Sequence, residues 1–415
     1  MVVITAPPGS PGSQTASTSL IASLSGVPAS MKAVLLACLN VRGGALVMSL
    51  PNGQTLKFGE DVGPTADIQI RDYRFARRLL THGDIGFAES YMEGEWETSD
   101  LPATLILLAD NAERISRVFF GNPVGRFLNL LRHWRRANTK AGSKKNIHAH
   151  YDLGNQFYGA WLDRTMTYSS ARFDTQARDL ESAQLAKYRA LAHHLDLRPG
   201  DHVLEIGCGW GGFAEVAAGE FGARVTGLTI SNEQLIFARE RMANAGLSHL
   251  VEIRHQDYRD VQGPFDKVAS IEMFEAVGEK YWPVYFNKIA EVLKPGGKAA
   301  LQIITIRDDL FEGYRRRADF IQRFIFPGGM LASIERLKAE VKDAGLDWRK
   351  IDAFGESYAD TLAAWRERFV AKWEQVRSLG FDERFKQLWR FYLSYCEAGF
   401  RTGRTDVVQI SLAKT

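Results

Sequence analysis

The sequence predicts an α/β protein with a doubly wound, mostly parallel sheet and a smaller N-terminal α+β domain. Segments typical of strands and of helices alternate through the second half of the chain, as in a parallel sheet covered by helices on both faces. At its centre, DHVLEIGCGWGGF (residues 201–213) combines a short strand, a glycine-rich turn and the start of a helix. Such a turn lets the backbone approach a ligand closely and directs free N–H groups at it. Together these observations predict a nucleotide-type binding turn in an α/β fold.

The glycine spacing is compatible with two ligand classes. Gly207, Gly209 and Gly212 satisfy G-x-G-x-x-G, which occurs in dinucleotide-binding folds. Those folds expect an acid for the ribose about 20 residues further on, at the end of the second strand. Here the strand RVTGLTI ends without an acid, and the nearest one, Glu233, lies in the next predicted helix. Hydride transfer is therefore disfavoured, and LEIGCGWGG instead resembles the first motif of S-adenosylmethionine-dependent methyltransferases.

Composition limits the class of protein and its setting. The 415 residues suffice for two or three domains, and 45% hydrophobic with 24% charged residues is ordinary for a soluble globular protein. A net charge of +3 indicates no nucleic-acid partner. Cys38, Cys208 and Cys396 are too few and too scattered for a disulfide scaffold or a zinc cluster. No apolar run reaches the ~20 residues that span a bilayer. We predict a cytoplasmic protein.

The N-terminal part is expected to contain a tail and a small domain. Residues 1–30 are rich in Pro, Gly, Ser and Thr and carry no charge, which predicts a disordered tail. The α+β domain is expected over 31–118, where ALVMSL and TLKFG flank an Asn-Gly turn and predict a hairpin. Helices are predicted over 71–82 and 101–117.

The most uneven charge lies between Arg114 and Tyr151, where nine Lys or Arg and no acidic residues occur. We predict a basic, aromatic linker over 119–149, since cations interleaved with Phe and Trp suit an anionic lipid surface. The alternative is a solvated linker with a helix packed on its own protein. Nucleic-acid binding is disfavoured because nothing else in the chain is typical of a base reader. His148 and His150 have no third ligand at a suitable spacing, so no metal site is predicted.

The larger domain is expected over 150–415. A helix is predicted after the N-cap Asp179, and Ser231 with Gln234 has capping-box spacing at the start of another. Ligands of such sheets bind at the carboxyl ends of the strands, where the site is therefore expected. The predicted strands are HVLE, RVTGLTI, VEIRH, KVASIE and KAALQIITI, and the predicted helices cover 212–221, 232–246 and 280–293.

An ordered set of short motifs lies at those strand ends. The set comprises HYDLGN (150–155), MTYSS (166–170), LTISNEQ (228–234), HQDYRD (255–260), EMFEAVG (272–278), LQIITI (301–306), FIFPGGMLAS (324–333) and FGESYADTLAAWRERF (354–369). With LEIGCGWGG, it resembles the cyclopropane-fatty-acyl-phospholipid synthases and the mycolic acid cyclopropane synthases over about residues 70–415. GFAESYMEGEW is similar to the N-terminal, lipid-binding domain of the phospholipid enzymes, which favours a phospholipid substrate.

The resemblance implies a class I methyltransferase fold and a known reaction. A cis double bond of a phospholipid acyl chain attacks the methyl group of S-adenosylmethionine, and a bound bicarbonate removes a proton so that a cyclopropane ring closes. This chemistry needs a dry pocket, negative charge and aromatic faces around the cation. The implied partner is the anionic inner face of a membrane, to which the enzyme binds peripherally. The sequence leaves homodimerisation open.

The resemblance also assigns roles to residues. It implies cofactor contacts at Tyr168, Ser169, Gly207, Gly209, Thr229, Ile230, Gln234, Asp257 and Tyr258, the last two beside the adenine. It implies a bicarbonate pocket formed by Glu275, Tyr358, Ser170, Gln302 and the Ile304 backbone. Cys396 matches a cysteine once proposed for the active site, although a packing role is the favoured interpretation. Asp257 could instead cap a turn, and Tyr358 could instead be a helix-face residue.

Two of these positions depart from the family pattern. Ser170 replaces a cysteine and Gln302 replaces a histidine, and glutamine can donate and accept hydrogen bonds but cannot titrate. The change affects ring closure more than methyl transfer. A methyl-branched unsaturated chain is therefore the second predicted product. Two rival functions are a small-molecule N- or O-methyltransferase and a non-catalytic lipid-binding protein.

Overall fold

The computed structural model describes residues 13–119 and 153–415, which form two compact units. One contains 13–119 together with Phe381–Thr402, and the other contains 153–380 together with Gly403–Thr415. The predicted larger domain is therefore wrong for 381–402, which belongs to the first unit. All but the first residue of the predicted basic linker lies outside the described residues, as do His148 and His150.

The secondary structure of these residues is as follows. The strands are β1 (Gln14–Thr15), β2 (Ala45–Ser49), β3 (Thr55–Gly59), β4 (Thr65–Ile70), β5 (Trp96–Glu97), β6 (His202–Ile206), β7 (Arg224–Thr229), β8 (Val251–His255), β9 (Phe265–Ile271), β10 (Leu293–Ile306), β11 (Leu346–Ala353) and β12 (Thr405–Lys414). The helices are α1 (Thr18–Ser23), α2 (Ala29–Cys38), α3 (Arg74–His82), α4 (Asp84–Met92), α5 (Leu101–Asp110), α6 (Ala112–Phe119), α7 (Asn155–Trp161), α8 (Leu180–His194), α9 (Gly212–Gly219), α10 (Asn232–Asn244), α11 (Trp282–Val292), α12 (Asp308–Tyr314), α13 (Phe320–Phe324), α14 (Ile334–Asp343), α15 (Gly355–Ala371), α16 (Trp373–Arg377) and α17 (Glu383–Arg401).

The first unit is the predicted α+β domain, and its sheet has the order β1-β3-β2-β4-β5. β2 and β3 form the predicted antiparallel hairpin, whose connection contains Pro51 as well as the expected Asn52 and Gly53. The predicted helix over 101–117 is divided into α5 and α6 at Asn111, and α4 was not predicted. α17 packs against α4 and α5 through contacts such as Phe391 with Phe87.

The prediction of a disordered tail over 1–30 is wrong from residue 13 onward. β1 pairs in parallel with β3, and Ser17 Oγ caps α1 by accepting the Leu20 N–H at 3.2 Å. Ile21, Leu24 and Val27 are buried. Composition suggested disorder because residues 1–30 are rich in Pro, Gly, Ser and Thr and carry no charge. The segment from residue 13 is nevertheless ordered, because its apolar side chains are buried and α1 packs against α2.

The second unit contains the predicted doubly wound sheet. Its strand order is β11-β12-β10-β9-β6-β7-β8, in which β6 to β10 are parallel and β12 is antiparallel to both neighbours. β6, β7 and β8 end within one residue of their predicted ends. The parallel arrangement brings the carboxyl ends of β6, β7, β9 and β10 to one edge of the sheet, where the predicted motifs meet.

Helices cover both faces of this sheet and bury a large aromatic and aliphatic core. Trp282, Phe286 and Leu301 are fully buried on one face, and Leu191 and Val203 are fully buried on the other. Each such side chain contributes roughly 1.5–3 kcal/mol by leaving water. In the two described ranges, no helix combines the length and apolar character needed to cross a membrane.

Candidate active site

The glycine turn between β6 and α9 needs glycine for conformational and steric reasons. Gly207 and Gly209 have φ values of 79° and 53°, in the left-handed region that side chains disfavour. A Cβ atom at Gly207 would also lie 2.7 Å from Met273 Cγ. The N–H groups of the first α9 turn have no partner within the helix, which suits a polar ligand. Glu205 lies in β6, two residues before Gly207. Its carboxyl group is buried, and burial raises its pKa to about 8.

The carboxyl end of β7 holds two more predicted cofactor residues. Thr229 Oγ1 donates to Gln234 Oε1 at 2.8 Å and accepts the Ser231 N–H at 3.1 Å. Ser231 caps α10 as predicted, but the capping box is incomplete because the Gln234 side chain bonds Thr229 instead. The amide NH₂ of Gln234 is thereby left to donate elsewhere. Ile230 follows Thr229, and its carbonyl accepts from His255.

Asp257 and Tyr258 follow β8, as predicted. Asp257 caps a short 3₁₀ turn, and its carboxylate accepts from Arg259 Nε and Nη2 at 2.8 and 2.6 Å. Asp257 therefore caps a turn, as the alternative interpretation predicted, and its contact with adenine remains a prediction. Tyr258 packs edge-on against Tyr285, and burial raises the pKa of Tyr258 to about 12.

Tyr168 lies in a cluster of aromatic rings. Its ring centroid is 5.2 Å from Trp365, 5.3 Å from Tyr158 and 5.8 Å from Trp161. Only Tyr168 was predicted from the sequence, because the other rings come from α7 and α15. Aromatic faces attract cations, so this cluster can stabilise positive charge on a cofactor or a reaction intermediate.

Ser169 is held by two buried side chains of α8. Lys187 Nζ donates to Ser169 Oγ at 2.6 Å, and Gln184 Nε2 donates to the Ser169 carbonyl at 2.9 Å. Lys187 is completely buried, and this burial lowers its pKa to about 7 against the opposing charge of Glu272. Lys187 was not predicted from the sequence, since a lysine within a helical pattern is ordinarily a solvated residue.

The predicted bicarbonate pocket is centred on Glu272, a residue that was not predicted from the sequence. Glu272 Oε1 accepts the Ser170 N–H at 2.8 Å and Gln302 Nε2 at 2.7 Å. Glu272 Oε2 accepts the Tyr358 hydroxyl at 2.6 Å. Three groups expected to hold bicarbonate therefore donate to a carboxylate of the protein itself.

Glu272 is held in a conformation that costs energy. It follows the last residue of β9 and has a φ of 47°, which costs a non-glycine residue roughly 1–3 kcal/mol. Its N–H donates to the Gln302 carbonyl at 2.8 Å, which anchors the turn. Strained residues of this kind are concentrated at functional sites. The available sequence signal was an acid directly after a parallel strand, at the first position of the motif EMFEAVG, but the family resemblance assigns the role to Glu275 in the same motif.

Glu275 lies beside Glu272 in a different environment. Its Oε1 accepts the Ile304 N–H at 2.6 Å, a contact that was not predicted, while its Oε2 is buried without a hydrogen-bond partner among the described residues. Burial, together with the charge of Glu272, raises the pKa of Glu275 to about 8. Burial also raises the pKa of Glu272, but the Lys187 charge and three hydrogen bonds oppose that shift. The Lys187 charge and three hydrogen bonds therefore favour the ionised form of Glu272, whereas burial favours the protonated form of Glu275 near neutral pH.

Bicarbonate does not fit this pocket as the side chains are arranged. The N–H of Ser170, the amide of Gln302 and the hydroxyl of Tyr358 all donate to Glu272, and the N–H of Ile304 donates to Glu275. A second anion would have to displace a buried carboxylate from these donors. Cys396 lies on α17 in the first unit and is not among the side chains that the second unit brings together.

The chain is similar to proteins of known activity. The family model described as mycolic acid cyclopropane synthetase matches residues 138–410. Tuberculostearic acid methyltransferase UfaA1 of Mycobacterium tuberculosis is 41% identical over 359 residues, covering 82% of this chain and 81% of that protein. Cyclopropane-fatty-acyl-phospholipid synthase of Escherichia coli K12 is 35% identical over 357 residues, covering 84% and 88%. The structure of mycolic acid cyclopropane synthase CmaA1 with SAH and CTAB aligns with a TM-score of 0.61 at 29% identity, covering 65% of this chain and 98% of that one.

Proposed function

Because the chain belongs to the mycolic acid cyclopropane synthetase family, we propose that it methylates the double bond of unsaturated phospholipid acyl chains, with Glu272 as the base. Family membership makes the protein an S-adenosylmethionine-dependent methyltransferase that transfers a one-carbon unit to lipids. The phospholipid, the base and a methyl-branched product are the parts that we propose. The observation that carries the proposal is the Glu272 carboxylate, held by three donors where a bicarbonate was expected.

The residues around the glycine turn fit the cofactor. When bound, S-adenosylmethionine supplies an electrophilic methyl group, which the double bond attacks as the carbon–sulfur bond breaks. Gly207 and Gly209 allow close backbone approach, and Thr229 orients Gln234. The aromatic cluster around Tyr168 offers ring faces to positive charge.

Glu272 would act after methyl transfer, when the neighbouring acyl carbon is a cation. Its negative charge would stabilise that cation, and its Oε2 would take a proton from an adjacent carbon, whose C–H electrons form the new bond. The carboxylate is attached to the end of β9, so it acts from one fixed position. Glu275, with a pKa near 8, is mostly protonated at neutral pH, which leaves Glu272 as the carboxylate that accepts the proton.

The product depends on which carbon loses the proton. Loss from a chain carbon leaves a methyl-branched alkene, and loss from the new methyl group closes a cyclopropane ring. We favour the branched product because Gln302 cannot relay protons and because the 41% identical relative is named a methyltransferase. Cyclopropane formation is the second candidate, and the name of the E. coli relative supports it.

Isotope labelling tests the product. We would incubate the enzyme with unsaturated phospholipid vesicles and methyl-deuterated S-adenosylmethionine, then analyse the fatty acids by mass spectrometry and NMR. A product that keeps three deuteriums supports methyl branching. A product that keeps two, with cyclopropane NMR signals, establishes ring closure instead. The absence of any lipid product would overturn the proposal, and Glu272→Gln is the control for the base.

The membrane partner is also a proposal. Nine cations and no acids between Arg114 and Tyr151 motivate it, together with Phe and Trp in the same segment. Charge reversal of Arg135, Arg136, Lys144 and Lys145 should weaken co-sedimentation with anionic vesicles, more strongly at low salt than at high salt. Unchanged co-sedimentation would contradict the membrane proposal without affecting the proposed chemistry.

A further inference from the structure

Gln409 is a buried polar residue outside every motif identified in the sequence. It lies in the middle of β12, directly opposite Gln302 of β10 in the antiparallel ladder. Both side chains are almost completely removed from solvent. A buried amide costs free energy unless its groups are hydrogen-bonded, so its partners indicate what it does.

The amide of Gln409 can act only as the donor in both of its hydrogen bonds. Its Nε2 donates to the Lys187 carbonyl at 3.1 Å and to Gln302 Oε1 at 3.0 Å. A backbone carbonyl can only accept, so the NH₂ group of Gln409 must face Lys187. Because the same NH₂ group contacts Gln302, the Gln302 amide must present its oxygen to Gln409.

The orientation of Gln302 then determines what Glu272 meets. With its oxygen bound to Gln409, Gln302 directs its NH₂ group at Glu272 Oε1, 2.7 Å away, and at the Ser170 carbonyl, 3.4 Å away. The reversed amide would place an oxygen against a carboxylate and another against a carbonyl. Glutamine has no intrinsic preference between these orientations, so its neighbours set the orientation. Glu272 and the Ser170 carbonyl favour the NH₂ group on one side, and the Gln409 donor favours the oxygen on the other.

We propose that Gln409 is a positioning residue that fixes the Gln302 amide as a hydrogen-bond donor to the catalytic carboxylate of Glu272. The inference rests on the proposed function, because it takes Glu272 to be the base. Gln409 itself does not touch the reacting atoms. Its effect reaches Glu272 through the amide group of Gln302. The hydrogen bonds run from the Lys187 carbonyl to Gln409, from Gln409 to Gln302 and from Gln302 to Glu272.

An isosteric substitution at Gln409 tests which atoms donate and which accept in this series of hydrogen bonds. Gln409→Glu, as a carboxylate, keeps the shape but replaces the donor with an acceptor. The Gln302 oxygen then loses its partner, and the new acceptor competes with Glu272 for the Gln302 NH₂ group. We expect kcat to fall about 10-fold or more, the loss expected for one hydrogen bond to a charged group, while KM and S-adenosylmethionine affinity change little. Gln409→Met, which removes the donor without adding charge, should give a smaller loss of kcat.

A double-mutant cycle separates positioning from general damage. In a Gln302→Leu background there is no amide to orient, so Gln409→Met should cause no further loss of kcat. The matched control is Ser411→Ala on the same strand, which also removes a hydrogen bond to an α8 carbonyl, that of His194 at 2.9 Å. It should leave kcat unchanged.

The outcomes distinguish the inference from the function on which it rests. If the Gln302 and Gln409 losses multiply, or if Ser411→Ala is equally harmful, Gln409 has only a structural role and the inference is wrong. If Glu272→Gln retains normal turnover, the proposed base is wrong and the inference fails with it. If the kcat losses of the Gln302 and Gln409 variants do not multiply, and Glu272→Gln loses turnover, the results support both the proposed base and the positioning role of Gln409.

Discussion

The two ends of the active site are built in different ways. The cofactor end is a single local turn, in which Gly207 and Gly209 provide the backbone shape within three residues of sequence. The carboxylate end collects donors from a loop, from β10 and from α15 around Glu272. A turn of the first kind depends on backbone conformation, whereas a pocket of the second kind depends on side-chain polarity. Substitutions should therefore impair affinity at one end and turnover at the other.

The largest effect is expected at Glu272. Glu272→Gln preserves size and removes the charge and the basicity, so turnover should fall roughly 10²–10⁴-fold, the usual contribution of a general base. Cofactor affinity should remain close to wild type, which isothermal titration calorimetry would measure. Near-normal turnover, or an equal loss of cofactor affinity, would remove the distinction between the two ends.

Tyr358→Phe should have the second largest effect. It removes the hydroxyl that donates to Glu272 Oε2 at 2.6 Å, and a hydrogen bond to a charged group is worth about 10–100-fold in turnover. Tyr188→Phe is the matched control at the cofactor end, because its hydroxyl bonds the neutral Thr167 at 2.9 Å. Steady-state kinetics should show a larger kcat loss for Tyr358. Equal losses would contradict the special role of the carboxylate.

Gly207→Ala should weaken cofactor binding while sparing turnover at saturation. The positive φ costs roughly 1–2 kcal/mol with a side chain present, or about 5–30-fold in affinity, and the new Cβ would crowd Met273. Gly209→Ala has the same conformational cost but meets no atom within 4 Å, so calorimetry should show a smaller loss. A loss confined to kcat would contradict this assignment.

Burial of Glu275 also makes the free energy of unfolding depend on pH. The folded-state pKa of Glu275 is about 8, so its stabilising contribution is complete below its unfolded pKa of ~4.3 and is lost as pH rises toward 8. Glu275→Gln should remove the contribution of Glu275 to this decline, which is roughly 3–4 kcal/mol between about pH 5 and 8 at about 1.4 kcal/mol per pH unit. Urea unfolding across that range would measure it.

Lys187 provides the internal control for this titration. Its lowered pKa, about 7, adds stability only as pH rises above that value, so it opposes the Glu275 trend in the upper part of the range. Below pH 7 the raised pKa values of Glu205 and Glu275 both contribute to the decline, so the difference between wild type and Glu275→Gln reports Glu275. Parallel curves for wild type and Glu275→Gln would show that Glu275 does not titrate as the structure indicates.

The cofactor end was largely predictable because its signals are local. The strand, the glycine turn, the Ser231 cap and the ends of β6 to β8 agree with the predictions from sequence. The capping box was wrong because Gln234 has a competing partner, Thr229, at the end of another element. Local spacing gives an element and its boundaries, but it does not decide between two partners of one side chain.

The predictions for the N-terminal tail and for α17 failed for a related reason. Ile21 is buried although its segment is rich in residues typical of disorder, and 381–402 joins a unit that begins hundreds of residues earlier. Both depend on packing partners outside the segment, which are α2 for α1 and the distant α4 and α5 for α17. Composition averages over a segment and contains no information about such partners.

By itself, the sequence determined the fold class and the nucleotide-type turn, and its family resemblance predicted Ser170, Gln302, Glu275 and Tyr358 as neighbours in one pocket. Only the tertiary structure decided that Glu272 is the anion they surround and that Lys187 and Gln409 support it. The physical reason is that hydrogen-bond partners are chosen by distance and direction. The distance and direction between two such side chains depend on how the parallel strands bring their carboxyl ends to one edge of the sheet, which local sequence does not specify.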